Sequence, residues 1–105
     1  MSTERLKLLH QFYDEDPADP FNSYALALEY LNVDPEKALE FFEILLHKHV
    51  EYLPTYYHAA KFFQERGQKE RAIHVYERGM ALAGSQGNSK ALRELRSAYD
   101  EFMFE

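Results

Sequence analysis

The chain has 105 residues, no cysteine and a net charge of −6, which suits one domain whose core uses neither disulfides nor thiolate metal sites. No stretch approaches the roughly 20 apolar residues of a membrane helix, and the start Met1-Ser2-Thr3-Glu4-Arg5 lacks the basic and apolar regions of a signal peptide, so a soluble, cytoplasmic protein without membrane contact is expected. Residues 1–50 carry ten acids against four Lys/Arg and residues 51–105 carry eight of each, which leaves no basic stripe for phosphates and argues against nucleic-acid binding.

Taken in chain order, the pattern predicts six helices, over residues 3–14, 20–32, 35–50, 54–66, 69–83 and 89–103. In the first, Leu6, Leu9, Phe12 and Tyr13 follow helical spacing, and Asp16-Pro17 closes it. Asp19-Pro20 and Asp34-Pro35 each put an N-cap acceptor before a proline at the first helical position, where its missing N–H costs nothing. Within the third helix Ala38, Leu39, Phe42, Leu45 and Leu46 form one apolar stripe, with Glu36, Lys37, Glu40 and Glu43 around the rest. Pro54 opens the fourth helix, and Gly67 fits a left-handed cap at its end. Gly84-Ser85-Gln86-Gly87-Asn88-Ser89 reads as a flexible linker, with Asn88 or Ser89 capping the last helix. β-branched residues are scarce and no window alternates with period two, so the fold class is all-α.

The chain also repeats itself. Pro20 and Pro54, Ala38 and Ala72, and Phe42 and Tyr76 all stand 34 residues apart, a period that signals stacked helical hairpins. The segments 35–43 and 69–77 read as one helix written twice.

These residues resemble the tetratricopeptide repeat family, whose unit is a 34-residue helical hairpin with aromatic, small and proline positions at fixed offsets. The second repeat, 54–84, carries the pattern at Tyr56, Ala60, Phe63, Gly67, Ala72 and Tyr76. The first, 20–53, offers Ala25, Ala38 and Phe42, with Ala25 to Ala38 one residue longer than Ala60 to Ala72; the extra residue is assigned to Asn32-Val33. Gly79 and Gly84 replace the usual alanine and proline late in the second repeat. The resemblance implies a single domain over 1–105 with residues 3–14 as a preceding half-repeat helix and 89–103 as a solvating cap. It implies a right-handed superhelix of antiparallel hairpins in which the small residues let paired helices approach closely.

The same resemblance implies a function without chemistry: a protein-interaction adaptor that receives a short peptide or protein segment on the concave face of the first helix of each repeat. By matching positions, that face presents Tyr57, Lys61, Gln64 and Glu65 from the second repeat, and Asn22, Leu26 and Glu29, with Tyr30, from the first. Family members that clamp a C-terminal carboxylate use Lys and Asn at several of these positions. Asn22 and Leu26 stand at these places in the first repeat and Tyr57 and Lys61 in the second, which disfavours such a clamp and leaves a mixed aromatic and polar groove centred on Tyr57 and Lys61 as the expectation. The alternative is a structural module that self-associates weakly through its terminal helices, and the apolar tail Phe102-Met103-Phe104 serves either to close the core or to meet another copy.

Candidates for chemistry are weaker. His47-Lys48-His49 would need two histidines about 200° apart on a helix to share one ion, and histidines near a helix C-terminus have an electrostatic reason of their own. His58 and His74 lie on successive helices without an obvious third ligand, and His10 reads as a helix-surface residue. Asp14-Glu15-Asp16 lacks the spaced ligands and central glycine of a calcium loop. No metal, cofactor or catalytic residue is assigned.

Overall fold

The computed structural model describes residues 3–105; Met1 and Ser2, which entered the reading of the N-terminus, lie outside the described residues. Among the described residues six helices follow one another: α1 (Thr3–Glu15), α2 (Pro20–Tyr30), α3 (Pro35–Lys48), α4 (Pro54–Glu65), α5 (Lys69–Ser85) and α6 (Ser89–Met103). There is no strand among the described residues. They fall into two compact units, one ending at Tyr52 and the other running from Leu53 to Glu105.

In the first unit α2 and α3 form a hairpin and α1 lies against α2. Asp19 Oδ1 accepts from the Phe21 N–H at 3.0 Å and Asp34 Oδ1 from the Lys37 N–H at 3.4 Å. Both aspartates therefore satisfy donors that an opening helix leaves without partners. The stripe on α3 buries Ala38, Phe41, Phe42, Leu45 and Leu46 against Leu26 and Ala27 of α2 and the rest of the unit. Each large side chain among them stabilises by roughly 1.5–3 kcal/mol. α1 buries no residue completely, but the edges of His10 and Tyr13 meet the Phe41 ring at centroid distances of 6.2 and 5.5 Å.

The first hairpin corrects the register read from the sequence. Ala25 is only half-buried, whereas Ala27 is fully buried, so the small residue at the helix crossing is two positions later. From Ala27 to Ala38 the hairpin is one residue shorter than from Ala60 to Ala72. The residue it lacks is a counterpart of Gly67. α2 ends with Leu31 still right-handed, and the turn closes when the N–H groups of Val33 and Asp34 both donate to the Tyr30 carbonyl, at 3.0 and 2.9 Å.

In the second unit α4 and α5 pair, and α6 packs on α5 and touches α4. Its core holds Tyr56, Ala59, Ala60, Phe62 and Phe63 of α4, Ala72, Val75, Tyr76 and Ala83 of α5, and Leu95 of α6. Gly67, at φ +77°, ends α4. The Gln68 N–H reaches back to Phe63 O at 2.9 Å and the Gly67 N–H to Gln64 O at 3.1 Å, the paired bonds that a left-handed residue makes available. Gly87, at φ +67°, repeats the device, with Asn88 N–H on Ala83 O and Gly87 N–H on Gly84 O.

α5 thus continues through Gly84 and Ser85, two residues of the expected linker. A glycine inside a helix costs only about 1 kcal/mol, while the positive φ that stops the helix is supplied at Gly87. Asn88, not Ser89, caps α6, its Oδ1 accepting from the Ala91 N–H at 2.9 Å.

Candidate functional site

The second unit carries a groove of about 500 Å³ between α4 and α6, lined by Tyr57, His58 and Lys61 on one side and Glu94, Ser97, Ala98 and Glu101 on the other. The core dictates this arrangement. With Tyr56, Ala59, Ala60 and Phe63 turned inward, helical periodicity leaves Tyr57 and Lys61 together on the opposite face. On α6 the anchor is Leu95, and the positions 94, 97, 98 and 101 share one stripe of i, i+3, i+4 and i+7.

The α4 wall is aromatic and carries one cation. The rings of Tyr57 and His58 meet edge to face with centroids 5.4 Å apart, and Lys61 Nζ lies 6.0 Å from the centre of the Tyr57 ring. Burial pushes the His58 imidazole below its ordinary pKa, so it is neutral at pH 7 and adds no charge. Among the described residues, no carboxylate lies within 4 Å of Lys61 Nζ.

Behind the groove Tyr76 is fully buried and donates its hydroxyl to Gln64 Oε1 at 2.8 Å. Burial pushes its pKa up to about 12, helped by Tyr57, Glu101, Glu65 and Glu105. The ring packs against Tyr99 and Phe102 at centroid distances of 5.9 and 6.1 Å. On the far side of α4, Arg78 Nη2 donates to the Tyr56 hydroxyl at 3.3 Å, and Arg71 lies 4.2 Å over the Phe63 ring. These two contacts brace α4 from α5 and keep the groove wall in place.

Of the residues read from the second repeat, Tyr57 and Lys61 line the groove. Gln64 is occupied by Tyr76, and Glu65 is exposed outside the lining. His58, Glu94, Ser97, Ala98 and Glu101 were not singled out as lining residues. The spacing on α6 marks one face of that helix, but nothing in a linear pattern says that α6 returns beside α4.

The first-repeat set is placed differently. Leu26 is fully buried and presents no surface, a correction that follows from the shifted register of α2. Asn22 donates to the Asp16 and Phe12 carbonyls at 2.9 and 3.2 Å and so closes the end of α1. Glu29 Oε1 pairs with Arg5 Nε at 2.8 Å. All three serve the docking of α1 or the core of the first unit. Tyr24, Leu28 and Leu31 are the half-buried positions that correspond, in the corrected register, to Tyr57, Lys61 and Gln64.

Two of the histidines are tied locally. His10 Nε2 and the Tyr30 hydroxyl are 2.7 Å apart, and His47 Nδ1 lies 2.8 Å from Glu43 O. Among the described residues no three His, Asp or Glu side chains gather as metal ligands would, and no helix is long and apolar enough to cross a membrane. Of the tail, Phe102 is half-buried on Tyr76, while Met103 and Phe104 are 41% and 87% exposed.

No protein-family model and no curated protein matches the chain. Among solved structures it is similar to the crystal structure of a tetratricopeptide repeat domain protein from Salinibacter ruber, with 37% sequence identity, 81% of this chain and 96% of that one covered, and a TM-score of 0.75. It is also similar to the solution NMR structure of a tetratricopeptide repeat domain protein from the same organism, with 39% identity, 83% and 89% coverage and a TM-score of 0.77.

Proposed function

The chain belongs to the tetratricopeptide repeat family, and we propose that it is a non-catalytic adaptor that receives a short peptide or protein segment in the groove between α4 and α6. The family supports a protein-interaction module in general terms, and the groove is the surface to which we assign that role. The observation that carries the reading is the pairing of an accessible tyrosine with a cation on one rigid wall, Tyr57 beside Lys61. Tyrosine binds with large contact area at small entropic cost and is over-represented among the residues that dominate interface energies.

The test is capture of partners from lysate by the whole chain, wild type against Tyr57→Ala, with thermal unfolding recorded for both. A binding hot spot contributes about 2 kcal/mol or more, roughly thirtyfold in affinity. Partner recovery should collapse while the unfolding temperature moves by only a few degrees. Undiminished recovery by the folded variant rules out the groove.

The exposed Met103 and Phe104 favour a second reading, self-association through terminal helices, since exposed apolar ends mark contacts. Light scattering on a gel-filtration column separates the two. A strict monomer at high concentration removes self-association, and a dimer abolished by Phe104→Ser supports it.

A further inference from the structure

The lining of the groove between α4 and α6 specifies more than a generic peptide. Glu94 and Glu101 both face it and stand seven residues apart on α6, two turns of one face. At 1.5 Å rise per residue their Cα atoms lie about 10.5 Å apart along the axis. The opposing wall offers a single cation, Lys61, and His58 is uncharged at neutral pH, so the lining carries net negative charge.

A polyproline-type segment brings residues i and i+3 to the same side, and at 3.1 Å per residue they are about 9.3 Å apart. That repeat nearly matches the separation of the two glutamates. We propose that the preferred ligand of this groove is an extended segment with two basic side chains three positions apart, arginine or lysine, one engaging Glu94 and the other Glu101, with an aliphatic stem laid on the Tyr57 ring. The proposal rests on the groove reading above and deepens it. Burial is the main reason Tyr76 resists ionisation, and Glu101 of the groove lining adds to it. The net charge of −6 would steer such a cationic segment toward the protein.

Capped ten-residue peptides in a Pro/Ala background test it by NMR titration of the full, ¹⁵N-labelled chain. One peptide carries Arg at i and i+3, a second Arg at i and i+1, a third Ser at both places and a fourth Glu at both. The first should shift amides around Tyr57, Lys61, Glu94 and Glu101 and bind about tenfold tighter than the third, because each exposed ion pair contributes up to about fivefold. The double substitution Glu94→Gln and Glu101→Gln, at two exposed positions, should remove that preference.

Tighter binding of the Glu peptide, or equal binding of both Arg spacings, overturns the proposal. If the Ser peptide shifts the same amides as strongly as the first, the groove stands as a binding site and the charge assignment falls. If no peptide shifts them and Tyr57→Ala leaves partner capture intact, the groove fails and the proposal fails with it.

Discussion

Replacing Gly79 by alanine adds one methyl group in the middle of α5. In an exposed helix that change stabilises by about 1 kcal/mol, because alanine loses less backbone freedom on folding. At Gly79 the new Cβ would lie 2.6 Å from Tyr56 Cβ, 3.2 Å from Tyr56 Cγ and 3.3 Å from Leu95 Cδ1. Tyr56 Cβ is fixed to the α4 backbone, so no rotamer change relieves the contact. α4 must retreat by about 1 Å to restore an ordinary carbon separation of 3.5–4 Å. Overpacking of this kind costs about 1–3 kcal/mol or more, and a displaced helix belongs at the upper end. The net loss should be about 1–2 kcal/mol.

Gly84, five residues on in the same helix, is the internal control. A Cβ there meets nothing within 4 Å, so Gly84→Ala should gain about 0.5–1 kcal/mol. At roughly 5 °C per kcal/mol for a domain of this size, the two variants should move the melting temperature, followed by circular dichroism at 222 nm, in opposite directions. Gly79→Ala should lower it by about 5–10 °C and Gly84→Ala should raise it by about 3–5 °C. Stabilisation of both alike would refute the close approach of α4 to α5.

Thr55 is fully buried and its Oγ1 has no hydrogen-bond partner. Thr55→Val keeps the shape, removes an unsatisfied hydroxyl and should stabilise by about 1 kcal/mol in urea unfolding; destabilisation would mean that the hydroxyl is bonded. Ala72, also fully buried, should not tolerate Leu, which would cost about 1–3 kcal/mol; an unchanged melting temperature counts against the hairpin register. Because the Tyr76 pKa is about 12 in the folded chain and 10 when exposed, the unfolded state loses this proton first. Its stabilisation is complete below pH 10 and disappears between about pH 10 and 12, a loss on the order of 2 kcal/mol. Tyr76→Phe should flatten that alkaline limb, and an equally steep limb would place the ionising group elsewhere.

The second hairpin was legible because its signals agree. Ala59 and Ala60 are adjacent and both buried, so neither choice moves the register by more than one residue, while Gly67 marks a left-handed stop and Pro54 fixes the start. In the first hairpin Ala25 and Ala27 are both small, and only burial decides between them. Once Ala25 is taken, an extra residue has to be invented in a turn that is in truth one residue short. The error carried into Leu26 as a groove residue. Gly84 misled for a different reason, since its composition resembles a linker while the conformation that ends α5 is needed only at Gly87. For the site, Tyr57 and Lys61 follow from the periodicity of one helix. Glu94 and Glu101 depend on α6 returning beside α4, a long-range contact that no local pattern contains.

The attachment of α1 has a dynamic consequence. The helix buries no side chain completely and is held by half-buried rings, the Arg5–Glu29 pair and the two bonds from Asn22. Opening it exposes little apolar surface, so its free energy of local unfolding is small compared with that of the α2–α3 pair. Under native conditions the amides of Thr3–Glu15 should exchange with deuterium through repeated brief detachment, while those around Phe42 and Leu45 wait for the unit to unfold as a whole. The first unit should therefore unravel in two tiers, α1 detaching before the α2–α3 pair opens.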